Sequence, residues 1–550
     1  MKTPHQTFVA GAAPALLRPH LPLVVALALA AGAEAFTSSA VSIALPRMAA
    51  DFAASPDEIS WAVTLYLASY AVGLSLTAWL ADRFGQKSYL GWSMVVYALT
   101  AAGCGVAPSL GIFLIWRVAQ GVAGAAFVAR AIFTFTKELR PPLLTRALLI
   151  FIGGFSLKAL GLPVGGYLVD SWSWRWLFAV PVVVLSLGAL PALAASREIW
   201  PRRRRLAPDL VGLTLLTSGM GALLVLLFRG ERDEWFAAPG IVTLALVVLL
   251  ALPLFAWQQS RVAQDRRLIS LAPFRYRGMG VGVMLSFLAG VMMVGGLFVL
   301  PQFLLRIVGC DAYRTGWLMS IDAWALMAGL ALGAWGLGRI LTRAFLVVSG
   351  LLFTGSMGLL ALRVTSATPI EALYLPIILH GIGVGLALPP IGIFSFRAIG
   401  SNHALNGEGR AWHYTARQLG GAVAVALAVV ILDGRASVHS GRLAENVTNL
   451  NPRVAQSLVL IGRGLVSHGL PPASAAEGAS VVVSRIVARE TMVLAFRDLF
   501  FATAAVGLAV SGLAFGLPKL RGAARPPTAR TGTPNVPAGL PRLTTLFPSH

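Results

Sequence analysis

The chain has 550 residues and a formal net charge of +22, and 57% of its residues are hydrophobic while only 12% are charged. Its mean hydropathy of +0.76 excludes a water-soluble protein, which needs a surface of mixed charge. The sequence therefore predicts an integral membrane protein.

Apolar segments long enough to cross a lipid bilayer recur along the whole chain. A hydrocarbon core about 30 Å thick requires roughly 20 apolar residues in a helix. Fourteen segments meet this requirement, at 21–44, 59–80, 88–106, 110–135, 147–169, 175–195, 210–228, 238–257, 278–303, 316–337, 345–362, 370–396, 414–432 and 498–517.

The distribution of Lys and Arg orients these helices. With a cytoplasmic N-terminus, the inner segments carry 26 basic residues and the short outer loops carry 7. This asymmetry follows the positive-inside rule and predicts that both termini are cytoplasmic. The basic runs at 201–209 and 261–278 are then anchors against anionic lipid. A nucleic-acid partner is not expected, because the basic residues flank helices and form no separate basic domain.

The first segment has an alternative interpretation. Residues 21–36, "LPLVVALALAAGAEAF", end in an A-x-A-like site and resemble a secretory signal. We favour a retained helix, since cleavage would discard Glu34, the one acid in that segment. Cys104 and Cys310 lie near outer helix ends. Two cysteines in so long a chain make no disulfide framework, and we expect both to be unpaired.

The long basic loops divide the chain into parts. Residues 1–200 form a first six-helix bundle, 201–277 hold a two-helix insertion with basic loops, and 278–517 form a second six-helix bundle. The insertion carries few polar residues, which favours a lipid-facing spacer. The outer segment 433–497 has apolar residues at helical spacing and is predicted to form two amphipathic helices. Residues 518–550, rich in Pro, Arg and Thr, are predicted to be a disordered tail.

The connection between the second and third helices, within "TAWLADRFGQKSYL" (77–90), concentrates charge. Gly85 permits a sharp reversal, while Arg83 and Lys87 hold the turn at the inner surface. Asp82 gains nothing from positive-inside ordering, because it is an acid. Its presence therefore needs a separate explanation.

We expect Asp82 to latch the first bundle to the second when the inner side is closed. An acid is stabilised by the N-terminal end of a helix or by a nearby Arg. The thirteenth helix begins on the same side, and Arg417 and Gln418 near its inner end are candidate gate residues. Solvation of Asp82 in the turn and snorkelling of Arg417 remain alternatives.

Four motifs in chain order resemble those of the major facilitator superfamily. The turn "AWLADRFGQK" is similar to its G-x-L-A-D-R-x-G-R/K-K signature, and "RVAQGVAGA" (117–125) to its R-x-x-Q-G motif. "GLPVGGYLVDSWSWRWLF" (161–178) resembles the antiporter G-P-x-x-G-G motif followed by W-R-W-x-F, and "ARQLGGAVAVAL" (416–427) resembles the R-Q-x-G-G stretch of the fourteen-helix drug:proton antiporters of the EmrB/QacA type. The resemblance implies an all-α fold of two six-helix bundles plus a two-helix insertion.

The fifth-helix motif departs from the pattern, because "GLP" replaces "GP". Pro163 therefore places its kink about 100° further around the helix. The residues themselves predict that Gly161, Gly165 and Gly166 let another helix approach closely. The resemblance implies that this packing seals a proton leak in exporters, and the shifted proline keeps an uptake carrier open as an alternative.

The first helix also departs from the family pattern, with Thr37 where an acid is usual. Glu34 lies one helical turn earlier and is the candidate substitute. An ionisable group at bilayer depth costs at least about 2.5 kcal/mol, so it is a functional candidate by default. Glu34 could carry a proton as access alternates or pair with a cationic substrate, and a structural hydrogen bond is the alternative.

Asp322 lies in the outer half of the tenth helix between Trp317 and Trp324. A carboxylate among aromatic rings suits an organic cation, through charge and cation–π attraction. His380, in "IILHGIGVGLALPP", titrates near neutral pH in its unperturbed form. We favour a packing role for this histidine.

Two cations lie within predicted helices of the first bundle. The resemblance implies that Arg117 tunes the pKa of a cavity acid, while a packing Arg bonded to carbonyl groups is the alternative. Lys158 could neutralise Glu34, accept an anionic substrate or snorkel, and the sequence does not choose among these.

The resemblance implies a proton-driven exporter of amphipathic organic compounds in the cytoplasmic (inner) membrane, working by alternating access. A proton-coupled uptake carrier or facilitator of a small organic solute is the alternative. The sequence lacks an H-E-x-x-H motif, a Walker A loop and a nucleophile elbow, so we expect neither an enzyme nor a cofactor. In a cell with an outer membrane, the resemblance suggests a periplasmic adaptor and an outer-membrane channel as partners, docking on 433–497.

Overall fold

A computed structural model describes residues 20–138, 141–196, 209–263, 267–268, 271–336, 342–399, 403–445, 447 and 451–516. These residues are almost entirely helical, which confirms the all-α fold class. The α-helices are α1 (Leu21–Asp51), α2 (Pro56–Phe84), α3 (Gln86–Gly105), α4 (Leu110–Glu138), α5 (Pro141–Phe155), α6 (Leu157–Ser171), α7 (Ala179–Val183), α8 (Leu190–Ala195), α9 (Leu210–Arg229), α10 (Pro239–Arg261), α11 (Arg277–Val294), α12 (Leu300–Phe303), α13 (Ala312–Gly336), α14 (Thr342–Arg363), α15 (Glu371–Ile399), α16 (His403–Ala444), α17 (Pro452–Ser467) and α18 (Pro472–Gly516).

Twelve helical stretches of the described chain are long and apolar enough to span a membrane. Each coincides with one of the predicted segments. The other two predicted segments, 88–106 and 278–303, fall on α3 and on α11 with its continuation through α12. The α11 helix is shorter than a span because a π-turn at Gly295–Val299 interrupts the regular hydrogen-bond ladder.

The buried apolar side chains form separate cores in the two halves of the chain. In the first half, α1 lies at the centre, with its buried residues packed against α3, α4 and the helices after Trp174. In the second half, α11 to α16 pack with α18 around residues such as Phe303, Phe353 and Phe496. Ile152 on α5 joins this second core, so helices of the first half also contact the second.

The interpretation of the insertion as a lipid-facing spacer is wrong for α9. Its residues Leu216, Met220 and Leu224 are buried against α2 and against Ala422 of α16. At its C-terminal end Arg229 forms a bidentate ion pair with Asp57, with both contacts at 2.8 Å, and a second pair with Asp233. The insertion therefore packs through α9 onto both halves, while α10 is mostly exposed.

Both stretches of 433–497 that were predicted to be amphipathic helices are helical, but only the first of them is a separate helix. The α16 helix continues beyond the predicted span to Ala444, α17 packs as a separate helix, and α18 begins at Pro472. The predicted second amphipathic helix is the N-terminal extension of α18, because no helix-breaking residue separates it from the last span. The tail 518–550 and most of the basic run 201–209 lie outside the described residues.

Candidate functional site

Glu34 is buried on the central helix of the first half. Its residue is 7% exposed, and Oε1 accepts a hydrogen bond of 2.6 Å from the Tyr66 hydroxyl on α2. Gly124 on α4 provides the space, since a Cβ there would lie 3.1 Å from Glu34 Cγ and 2.9 Å from the Tyr97 ring. Three helices thus enclose this one carboxyl group.

Arg117 on α4 belongs to the same cluster. It is 1% exposed, its Nε donates to the Ala62 carbonyl at 3.1 Å, and Nη1 donates to Gln120 Oε1 at 2.6 Å. Its guanidinium lies 4.0 Å from the centre of the Tyr66 ring, a cation–π distance. Tyr66 therefore connects the acid to the cation: its hydroxyl binds Glu34 and its face binds Arg117.

A second polar cluster lies in the other half, between α13 and α15. Asp322 Oδ1 and His380 Nδ1 are 2.7 Å apart, and His380 Nε2 lies 3.2 Å from the Met292 carbonyl oxygen. Both residues are buried, His380 at 1% exposure. Gly296 makes room for them, because a Cβ there would lie 2.5 Å from Asp322 Oδ2. His380 is thus bonded to an acid, and the packing role favoured from the sequence is incomplete.

A cavity beside the Asp322–His380 pair is lined by residues of both halves. Its empty space is about 460 Å³, including the part open to solvent. The first half contributes Ser39, Lys158 and Leu162, and the second half contributes Met293, Gly296, Met319, Asp322, Ala323, Leu326, Met327 and His380. Lys158 makes no hydrogen bond or ion pair with any residue that the structure describes.

The expectation that Trp317 and Trp324 surround Asp322 is corrected by the structure. Neither tryptophan lines the cavity, and they are 57% and 50% exposed. At about 100° per residue, both lie on the face of α13 opposite the cavity-lining residues. The wall around Asp322 is made of methionine and leucine side chains instead of aromatic rings.

The glycine-rich fifth span approaches the first helix closely. A Cβ at Gly161 would lie 2.7 Å from the Phe36 carbonyl oxygen, and one at Gly165 would lie 3.0 Å from Ala40 Cβ. Pro163 and Gly166 on the same helix are buried. On another side of this helix, Gly316 of α13 would place a Cβ 2.8 Å from the Leu162 backbone. These glycines bring α1, α6 and α13 into near-backbone contact beside the cavity.

The charged turn between α2 and α3 is built as the sequence suggests. Gly85 has a φ of +85°, which favours glycine. Lys87 Nζ donates to the Ser196 carbonyl at 2.6 Å, and exposed Asp82 accepts from Gln86 at 3.0 Å. Arg83 is partly buried. The latch between Asp82 and the second half stays a prediction.

The two halves also meet through a pair of hydroxyl groups, one of which lies on the part of α2 that precedes that turn. Ser75 Oγ on α2 and Thr415 Oγ1 on α16 are 3.3 Å apart, and both are buried. Arg417 lies 4.8 Å from the Tyr414 ring centre, and partly buried Gln418 follows it. The contact of α2 with α16 is therefore an interface between the two halves, and it lies beside the predicted gate residues Arg417 and Gln418.

Tyr66 and Gln120 are site residues that the sequence did not single out, whereas His380 was singled out but given a packing role. Gln120 lies within the quoted "RVAQG" motif, three residues after Arg117, a spacing that places both on one helix face. Tyr66 is four residues before Tyr70, and the two rings are 6.0 Å apart on one face of α2. These two spacings are the sequence features that could have identified Gln120 and Tyr66 as site residues.

Comparisons with known proteins agree with this architecture. A family model described as Major Facilitator Superfamily matches residues 27–425. The multidrug export protein EmrB of Escherichia coli (strain K12) is 25% identical over 503 residues, covering 89% of this chain and 94% of that protein. The fatty acid resistance protein FarB of Neisseria gonorrhoeae is 24% identical over 474 residues, covering 81% and 87%. The xylose transporter XylE from E. coli has a similar fold, with a TM-score of 0.55 at 12% identity over 92% of this chain and 100% of that one.

Proposed function

The chain belongs to the major facilitator superfamily, and from this membership we propose that it is a proton-coupled exporter of amphipathic organic compounds, working by alternating access. The observation that carries the proposal is the cavity lined by Lys158 of the first half and by Asp322 and His380 of the second. A cavity shared by two bundles that rock against each other can open to either side in turn. The name of EmrB, a multidrug export protein, supports export over uptake.

Glu34 is the proposed coupling acid. It is a buried carboxyl group on the central helix, and its hydrogen bond to Tyr66 can be made or broken as helices α1 and α2 move. The guanidinium group of an arginine such as Arg117 is a permanent cation in proteins. Its position over the same tyrosine ring gives the carboxylate a nearby positive charge when the proton leaves.

The experiment measures accumulation of a panel of cationic, neutral and anionic compounds in cells that express the protein. A protonophore should raise the accumulation of compound in wild-type cells. The glutamine of Glu34→Gln cannot exchange a proton, so cells with this variant should reach that raised level without protonophore. Glu371→Gln, which removes an exposed acid at the start of α15, is the matched control and should export normally. A fall in accumulation when protonophore is added would show that the protein works in uptake instead of export.

We also infer a cytoplasmic (inner) membrane location with both termini cytoplasmic, from the excess of basic residues in the inner segments. A fluorescent protein that folds only in the cytoplasm, fused after residue 550, should be bright. A dark fusion that is present at normal levels would contradict this orientation.

A periplasmic adaptor that leads to an outer-membrane channel is the partner we propose. The surface that supports it is the helical protrusion formed by the outer part of α16, by α17 and by the start of α18. Val459, Leu460 and Ile486 are apolar residues exposed on this protrusion, at 52%, 64% and 52%. Photocrosslinking from these positions in whole cells should capture a second protein, and self-contacts alone would contradict the proposal.

A further inference from the structure

The α9 helix of the insertion lies over the line along which the two halves of the chain meet. This contact of α2 with α16, the α2–α16 seam, includes the 3.3 Å approach of Ser75 to Thr415. The α9 helix contacts both helices of the seam. Its residues Leu216 and Met220 are buried in one apolar cluster with residues of α2 and with Ala422 of α16. The insertion therefore covers the seam on one side.

Charged groups attach α9 to the start of α2. The Arg229 guanidinium donates to both carboxylate oxygens of Asp57 at 2.8 Å and to the Ser60 hydroxyl at 3.3 Å. It also lies 4.6 Å from the centre of the Trp61 ring. A bidentate contact between arginine and a carboxylate fixes orientation as well as distance. The C-terminal end of α9 is thus held in one position on the first half.

The contact of α9 with α16 is of another kind. On α16 it involves Ala422, which is 1% exposed, and Leu419 three residues earlier. No hydrogen bond or ion pair joins the two helices within the part of the chain that the structure describes. Apolar contact has no preferred direction, and packed helices can slide past one another by small steps. The α9 helix can therefore shift on α16 without breaking a directional bond.

The other end of α9 is bonded to α10. Asp209 caps α9 by accepting from the Gly212 N–H at 2.9 Å, and it also accepts from Gln258 at 2.8 Å and from Gln259 at 2.6 Å. Both glutamines belong to the last turns of α10. The two helices are thus tied together at this end and form one unit. Directional bonds connect that unit to the first half, and apolar contact alone connects it to α16.

We propose that the hairpin of α9 and α10 is a seal that moves with the first half, slides on α16 and keeps membrane lipid out of the α2–α16 seam. The movement rests on the alternating access of the proposed function, in which two bundles rock against each other. Lipid that entered an open seam would have to leave before the halves could close again. The outer face of the hairpin suits contact with lipid, because Leu249 and Leu250 of α10 are 67% and 68% exposed.

Cross-linking tests which half the insertion follows. In the parent protein both cysteines, Cys104 and Cys310, are replaced by alanine. Arg229→Cys with Asp57→Cys replaces the ion pair by two thiols, which a short bis-methanethiosulfonate reagent joins in whole cells. This link fixes α9 to the first half, so a compound that the accumulation panel identifies should be exported at the rate measured before cross-linking. Loss of export on complete cross-linking would overturn the proposal.

A second link fixes α9 to α16. The same reagent joins Met220→Cys to Ala422→Cys, and Leu216→Cys, about one turn earlier on α9, is the substitute if that link stays incomplete. Export should be lost on cross-linking and return on reduction, because α9 can no longer slide. Continued export by fully linked protein, or no link from either position, would contradict the proposal. The cysteine-free parent is the control, and the reagent should not change its export.

Photolabelling from the lipid tests the seal itself. Wild-type protein is placed in vesicles of phosphatidylethanolamine and phosphatidylglycerol with a phospholipid that carries a diazirine on its acyl chain, and labelled peptides are identified by mass spectrometry. Residues 246–254 of α10 should be labelled. Residues 68–76 of α2, which are buried except for partly buried Tyr70, should stay unlabelled with and without an imposed proton gradient. Labelling of 68–76 to the level of α10 under the gradient would refute the seal.

Two variants test whether Arg229 is the attachment. Arg229→Met should raise the labelling of 68–76 under the gradient several-fold, because the end of α9 is no longer fixed. Arg232→Met is the matched control: the side chain of this arginine is 44% exposed and lies 3.9 Å from Asp57, so its loss should leave the labelling unchanged. Equal labelling of 68–76 in the two variants would overturn the attachment on which the proposal depends.

The outcomes separate this inference from the export function. Loss of export with both links would overturn the seal and leave the export function intact, since the same proteins export before cross-linking. A protected seam in a protein that exports no compound of the panel would overturn the export function and leave the exclusion of lipid intact, because the labelling requires no transported compound.

Discussion

Gly296→Ala should disturb the Asp322–His380 pair without removing any functional group. An added Cβ would lie 2.5 Å from Asp322 Oδ2 and 2.6 Å from His380 Cε1, about 1 Å inside ordinary contact distance. Overpacking of this kind costs about 1 to 3 kcal/mol, and the gain in helix propensity from Gly to Ala returns roughly 0.5 to 1 kcal/mol. At the middle of these ranges the net cost is about 1.3 kcal/mol, and if all of it falls on the pair, export activity should drop roughly eightfold.

The matched control is Gly355→Ala on α14, where a Cβ would meet nothing within 4 Å. This variant should export normally and be at least as stable as wild type. Export in cells and thermal unfolding of purified protein give the two readouts for both variants. Normal export by Gly296→Ala at wild-type stability would refute the argument that the packing around Gly296 holds the pair in a required geometry.

Three further perturbations test the packing that surrounds the site. Arg229→Met should lower the free energy of unfolding by about 1 to 2 kcal/mol, measured as a fall in Tm, since the buried Arg bridges two partly solvated carboxylates; an unchanged Tm would contradict this. Gly161→Ala should impair folding or export because of the Phe36 backbone, while Gly153→Ala, with nothing within 4 Å, should be tolerated; equal behaviour of the two would count against close packing on α1. Ser75→Cys with Thr415→Cys should form a disulfide that blocks export until it is reduced, given hydroxyl groups 3.3 Å apart; export that continues after complete cross-linking would show that this interface need not separate.

Hydropathy was sufficient to locate the membrane helices, because a span is a property of one continuous segment. The predicted segments at 88–106 and 278–303 fall on α3 and α11, although α11 is interrupted by a π-turn at Gly295. At this turn the His380 ring of α15 lies so close that a Cβ at Gly295 would come within 2.9 Å of it and one at Gly296 within 2.6 Å. The local sequence of α11 does not contain that information.

The candidate site was predictable only within single helices. The cost of burying charge identified Glu34 and Arg117, but the tyrosine that joins them is on a third helix and carries no charge. The grouping of Trp317 and Trp324 with Asp322 failed for a simpler reason. A step of about 100° per residue places Asp322 about 140° from Trp317 around the helix, so nearness in sequence did not mean a shared face.

The alternation of access to the cavity is the central claim, and cysteine labelling at Ser39 tests it most directly. Ser39 belongs to the first half and lines the cavity, and Cys104 and Cys310 would first be replaced by alanine. With Ser39→Cys, a membrane-impermeant thiol reagent should react when added from either side, and substrate or a change in pH should raise labelling from one side while lowering it from the other. Labelling from one side only under every condition would contradict the account.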